Sequence, residues 1–277
     1  MANDLNHLFE MTPAWLLSLM LLAVLMISEE GGYRLARWRR TRENFKSNDS
    51  DLSTVQQGVL GLLGLLLGFT YAFVVTRADM RKQAVVTEAN NIGTAYLRAG
   101  LMPSPGGAQL QALLREYVDS RIVGEDMGGD PVKMHAAVEK SERLQGEIWS
   151  MGAKMIEGHT PTTIDALLIQ ALNDVLDVHT VRVAAARDRL PMLVLVLLLA
   201  VSIGAMTLCG LAAEVAGGRH IWRNSMVAML IVAVMLIILD EDRSNTGMIR
   251  VSQQSLVDLK RSIEAPATTQ TATNKQN

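Results

Sequence analysis

Side chains suited to chemistry are thinly spread along this chain. Its five histidines, His7, His135, His159, His179 and His220, include no pair four residues apart, the spacing that lets one helix aim two imidazoles at a metal ion. Cys209 is the single cysteine, which excludes an intrachain disulfide and a thiolate pair; it lies within an apolar run and reads as a small packing residue. The turn GEDMGGDP (124–131) lacks the carboxylate spacing of a calcium loop, and no glycine-rich phosphate loop is present. No catalytic residue, metal or cofactor is therefore expected, and the chain does not read as an enzyme.

Four other patterns carry more information. Gly58, Gly61, Gly64 and Gly68 fall within roughly one third of a helix circumference at about 100° per residue. Such a face either packs closely on another helix or lines a pore between subunits, with Leu65, Phe69 and Phe73 forming a constriction that gates by dewetting. A charged rim follows: Arg77, Asp79, Arg81 and Lys82, then Arg187, Asp188 and Arg189, then Asp240, Glu241, Asp242 and Arg243. These residues serve as interfacial anchors and ion pairs, or, repeated around a ring of subunits, set the potential seen by permeant ions; their mixed sign does not choose between anion and cation. In EANNIGTAYLR (88–98), Glu88, Asn91 and Arg98 lie near one face with Ile92 and Tyr96 turned inward, which predicts either an inter-helix contact network or a solvated side with ordinary ion pairs. The stretch YRLARWRRTRENFK (33–46) interleaves Tyr33, Trp38 and Phe45 with arginines and suits both an interfacial helix on anionic lipid and a plain topology anchor.

The elements that hold these residues follow from composition. Of 277 residues, 49% are hydrophobic, 4% aromatic and 19% charged, a balance that excludes disorder and favours helices. The 26 Lys and Arg against 28 Asp and Glu leave no nucleic-acid footprint. The apolar residues gather in four blocks: 13–28, 51–77 with its dense part at 59–76, 190–213, and 225–239, the last reaching full length through Trp222, Arg223 and Asp240. A bilayer core of about 30 Å needs roughly 20 helical residues, so all four read as spans. The leader MANDLNHLFEMT carries no Lys or Arg, unlike a secretion signal. Arg34, Arg37, Arg39, Arg40, Arg42 and Lys46 follow the first span, so the positive-inside rule places residues 29–54 in the cytoplasm and both the N-terminus and residues 77–189 outside a bacterial inner membrane.

The expected organisation is all-α: a four-transmembrane-helix membrane protein with a helical-bundle aqueous domain between the second and third spans. Residues 1–54 hold the first span and a basic cytoplasmic loop, 55–76 the second span, 77–189 the aqueous domain, 190–240 the third and fourth spans, and 241–277 a polar tail with one short amphipathic helix. The second span continues without a breaker to about Gly100 and stops at LMPSPGG. Helices are expected from Ala108 to Val123, from Pro131 behind an Asp130 cap, and from Pro161 behind a Thr160 cap. The last is expected to run into the third span with a kink at Pro191.

The string GLLLGFTYAFVVTRADMRKQAVVTEANNIGTAYLRAGLMP (64–103), with LREYV (114–118), QALND (170–174) and DEDRSNTGMIRVSQQSLVDL (240–259) in order, resembles the bacterial bestrophin-like family. LGFTYAFVVTR (67–77) is similar to the neck helix of bestrophins. The resemblance implies an all-α membrane protein with four spans and, for true bestrophins, a pentameric ion channel with apolar neck residues on the second helix. Phe69 would then be a neck phenylalanine, with Leu65 and Gly61 replacing bulkier side chains. The run Asp240, Glu241, Asp242 is similar to a bestrophin calcium clasp but offers too few oxygens for a site needing six to eight, and calcium is not expected. Bestrophins keep the region between spans two and three in the cytosol; the charge rule places it outside here, and the expectation follows the charge rule. The reading is a homo-oligomeric integral membrane protein whose partners are the lipid bilayer, further copies of itself and small ions, with no nucleic acid. The alternative is a membrane-anchored sensor or scaffold whose helical domain binds a ligand or an envelope partner.

Overall fold

The computed structural model describes residues 13–42, 49–122, 131–157, 160–218, 221–242 and 251–265. Among the described residues every regular element is an α-helix: α1 (Ala14–Arg42), α2 (Asp49–Ala99), α3 (Gly106–Arg121), α4 (Pro131–Ile156), α5 (Thr163–Arg187), α6 (Met192–Val215), α7 (Ile221–Asp242) and α8 (Gln254–Glu264). α1, α2, α6 and α7 are long and apolar enough to cross a bilayer. At 1.5 Å per residue the 51 residues of α2 extend about 76 Å, more than twice a hydrocarbon core.

Three boundaries differ from expectation, each for a local reason. α1 does not give way to a loop after residue 28 but continues to Arg42. The Glu30–Arg34 pair at 2.8 Å supports the next turn, and Gly32 lies against the Thr207 backbone instead of breaking the helix. α5 is capped at Thr162, not Thr160: Asp165 N donates to Thr162 Oγ1 at 3.2 Å and Thr162 N donates to Asp165 Oδ2 at 2.7 Å. Thr160 has Thr163 three positions on, which cannot return the bond as a carboxylate does. Finally, α5 stops at Arg187 and α6 begins at Met192 with Pro191 as its cap residue. Proline bars the α conformation from the residue before it and offers no N–H, so the expected kinked continuation is a break.

The chain divides into two compact units, Met1–Ala78 with Arg189–Ile249 and Asp79–Asp188 with Arg250–Asn277. In the first, α1 packs along α6 and α7, and Leu63, Leu67 and Val74 of α2 join a core with Leu25, Leu198, Met206, Ile231 and Met235. The α1–α6 approach is backbone to backbone. A methyl on Gly210 would fall 2.0 Å from the Glu29 carbonyl oxygen, and one on Gly32 would fall 2.1 Å from that of Thr207. Beside this crossing the buried Asn224 of α7 donates from Nδ2 to Glu29 Oε1 at 2.6 Å, and Gln56 of α2 donates to Cys209 Sγ at 3.3 Å.

In the second unit, residues 79–99 of α2 meet α3, α4, α5 and α8 around Ile92, Leu110, Leu114, Tyr117, Ile148, Leu172, Val175 and Leu256. Gly107 lies so close to the Ala99 and Met102 carbonyl oxygens, with a methyl at 2.5 and 2.7 Å, that the turn after α2 admits no side chain there. α8 is not a free tail element: Leu256 is fully buried and Lys260 Nζ sits 2.7 Å from Asp119 Oδ1 of α3. Gly210→Ala is expected to lower the midpoint of thermal unfolding in detergent, by the roughly 1–3 kcal/mol that overpacking costs. Gly31→Ala, where a methyl meets no atom of the described residues, should leave it unchanged, and equal midpoints for the two variants would contradict the crossing.

Candidate functional site

α2 has two unlike faces in the first unit. Leu63, Leu67 and Val74 are buried among the other spans. On roughly the opposite side Leu65, Phe69 and Phe73 are 54%, 67% and 49% exposed, and a methyl placed on Gly58, Gly61, Gly64 or Gly68 would touch nothing among the described residues. Among the described residues the stripe therefore makes no close helix contact within one chain; that role falls to Gly32 and Gly210. Arg77 lies at the end of this face with its guanidinium 4.5 Å from the Phe73 ring centroid, a cation–π contact.

The charged rim is distributed over both units. In the first, Asp242 Oδ1 accepts the backbone N–H of Leu190 at 2.8 Å, satisfying a donor ahead of α6, and Asp240 is half-buried. In the second, Asp79 is exposed and Arg81 is buried. Arg243 and the Arg187 side chain lie outside the described residues.

Glu88, Asn91 and Arg98 each reach another helix. Asn91 Nδ2 donates to the Asp174 carbonyl at 2.9 Å and Arg98 Nη1 to the Leu167 carbonyl at 2.6 Å, both on α5. Glu88 has no exposed surface. Its Oε1 accepts from Arg121 Nε of α3 at 2.6 Å and its Oε2 accepts from Arg182 Nη1 of α5. Around this triad Arg121 Nη1 lies 3.5 Å from Ser141 Oγ of α4, Gln145 Nε2 donates to Tyr117 Oη at 2.9 Å, and Tyr117 Oη lies 3.4 Å from His179 Nδ1. Burial, then the Glu88 charge, pushes the Tyr117 phenol up to about 12, so it remains a neutral donor. Burial, then Arg121, holds His179 below the usual imidazole range, with Glu88 and Glu142 opposing and Arg182 adding to the depression.

Arg121, Arg182, Tyr117 and His179 are absent from the site read in the sequence, although a signal exists. The inward stripe of α3, Leu110, Leu114, Tyr117, reaches Arg121 four residues later, and that of α5, Leu168, Ala171, Val175, Val178, reaches Arg182. A charged residue on the next step of a buried stripe needs a buried counter-charge, and Glu88 on the inward side of α2 supplies it. A separate groove of about 800 Å³ between α3 and α4 is lined by Gln109, Leu113, Glu116, Arg143, Glu147 and Lys154 among others.

The Bestrophin-like domain model matches residues 35–256. No curated protein matches the chain. Among solved structures, a single-substitution variant of a bacterial bestrophin homologue from Klebsiella pneumoniae is similar at a TM-score of 0.63 and 13% identity, covering 88% of this chain and 96% of that one. A second such variant gives 0.62 and 13% over 89% and 97%, and a further bestrophin homologue structure from the same organism gives 0.58 and 13% over 88% and 96%. At this identity the likeness concerns the fold.

Glu88→Gln is expected to cost about 3 kcal/mol of unfolding free energy, because the buried Arg121 and the half-buried Arg182 lose their counter-charge. The depressed His179 makes the unfolded chain the better proton acceptor as pH falls below 6.5, so stability should drop from pH 7.5 to 5.5. His179→Gln should flatten that slope. Thermal unfolding of the three proteins across this range checks both expectations; an unaltered Glu88→Gln midpoint, or a slope unchanged in His179→Gln, would contradict the respective assignment.

Proposed function

The chain belongs to the Bestrophin-like domain family, and on that premise we propose that this membrane protein is a homo-oligomer that conducts small ions along the glycine and phenylalanine face of α2. The observation that carries the reading is the exposure of Leu65, Phe69 and Phe73 beside four glycines that touch nothing among the described residues of the single chain. Copies arranged about a common axis would bring these faces together: the glycines leave width, and the rings form an apolar constriction whose wetting controls passage. Arg77, stacked on Phe73, would place positive charge at the end of that path. Purified oligomer in liposomes is expected to dissipate a KCl gradient faster than empty vesicles, and Phe69→Ala should raise the rate severalfold by widening the constriction. An intact oligomer that passes neither Na⁺, K⁺ nor Cl⁻ above leak would overturn the reading.

The same reading places α1 with its arginine-bearing end in the cytoplasm of a bacterial inner membrane, and residues 77–189 as an aqueous domain outside, because Arg34, Arg37, Arg39, Arg40 and Arg42 all follow the first span. With Cys209 replaced by serine, a cysteine at the exposed Ala136 should react with an impermeant maleimide in intact cells. Labelling only after permeabilisation would reverse the sidedness and leave conduction untouched. A second reading, a membrane-anchored sensor or scaffold, draws on the mixed-charge groove between α3 and α4, and absence of flux would favour it.

A further inference from the structure

The last two turns of α1 are largely exposed. Residues 37–41 are exposed on every side, and Arg37 and Arg39 have no carboxylate partner among the described residues. The neighbouring Arg34 and Arg40 are also largely exposed, although Glu30 lies 2.8 Å from the first and Glu214 3.9 Å from the second. Trp38 is 52% exposed and Leu35 41%.

The depth of this segment can be read from the contacts of α1 itself. Asn224 bonds Glu29, which sets Trp222, 79% exposed at the start of α7, within about a turn of Glu29 along the bundle. Exposed Trp residues collect at the membrane–water boundary, so residues 34–42 lie just beyond it. Nine residues rise about 13 Å, enough to traverse a headgroup layer that is about 5–7 Å deep on each side of the hydrocarbon. A helix lying flat on a membrane separates an apolar from a polar side. This segment instead continues the axis of a span and turns guanidinium groups in all directions, with Arg37 and Arg39 about 200° apart around the helix.

We propose that this end of α1 is a collar for anionic lipid headgroups, Arg37 and Arg39 each binding a lipid phosphate while Trp38 and Leu35 lie against the headgroup and glycerol atoms of the same lipids. Guanidinium groups bond phosphate oxygens through a planar fork, and continuity with a membrane span delivers the ligand without a separate binding event. The collar is independent of ion conduction.

The test uses full-length protein in which Trp38 is the sole tryptophan, Trp15, Trp149 and Trp222 being replaced by phenylalanine. It is reconstituted in phosphatidylcholine vesicles containing a minor fraction of brominated phosphatidylglycerol or brominated phosphatidylcholine. In about 0.05 M salt, quenching by the brominated anionic lipid should exceed that by the zwitterionic one with a preference of about five-fold, the effect of one basic residue near an anionic surface. The preference should fall toward parity in the Arg37→Gln, Arg39→Gln double variant, and also in wild-type residues 34–42 at about 0.5 M salt, a measurement that stands even if the double variant fails to fold. Equal quenching by the two lipids, or a preference that survives both treatments, overturns the proposal. So does a preference abolished by inorganic phosphate at matched ionic strength, which would identify a soluble anion as the ligand.

Discussion

Hydrocarbon offers no partner to a peptide N–H or C=O, so any segment that crosses it must satisfy its own backbone. In this chain that constraint produces helices of 29, 51, 24 and 22 residues as the candidate spans, and it leaves polar side chains to be settled one by one. Glu29 takes the amide of Asn224, Thr70 and Thr207 return their hydroxyls to their own helices at Leu66 and Ile203, and Asp242 meets the N–H of Leu190. Without a hydrophobic force to press helices together in lipid, contact must come from close backbone approach. Gly32 and Gly210 provide it.

The second unit uses a different device. An apolar core of leucines and a tyrosine surrounds a carboxylate that holds one arginine from α3 and one from α5. Such an arrangement adds little net stability over an apolar equivalent, but it leaves any partial version costly. Its geometric effect is to fix which residues of α2, α3 and α5 lie opposite one another. His179 and Tyr117 border the triad as neutral groups because burial makes ionisation unfavourable for both.

Much of this was legible in the sequence. Uncharged runs disclose spans, the breaker-free stretch from Asp51 to Ala99 discloses one long helix, and Pro131 begins α4, its expected cap Asp130 lying outside the described residues. The misplacements share a cause. Thr160 and Thr162 are equally good caps until Asp165 reciprocates with only one, and Pro191 can kink a helix or start one depending on what receives the N–H of Leu190. Glu29 and Asn224 were illegible as a pair because 195 positions separate them. The glycine stripe of α2 was plain, yet its spacing is common to glycines that pack and glycines that do not, and Gly32 and Gly210, which pack most closely, belong to no stripe.

The distance in sequence between Glu29 and Asn224 also has a bearing on biogenesis. The ribosome makes the carboxylate 195 residues before the amide that receives it, an interval of about 10–40 s at ordinary rates of about 5–20 residues per second. For most of that time the nascent first span holds an acidic group and a bare glycine surface with neither α6 nor α7 yet made. The hydrogen bond to Glu29 and the helix crossing at Gly32 are therefore late events, closed only when the third and fourth spans are in place.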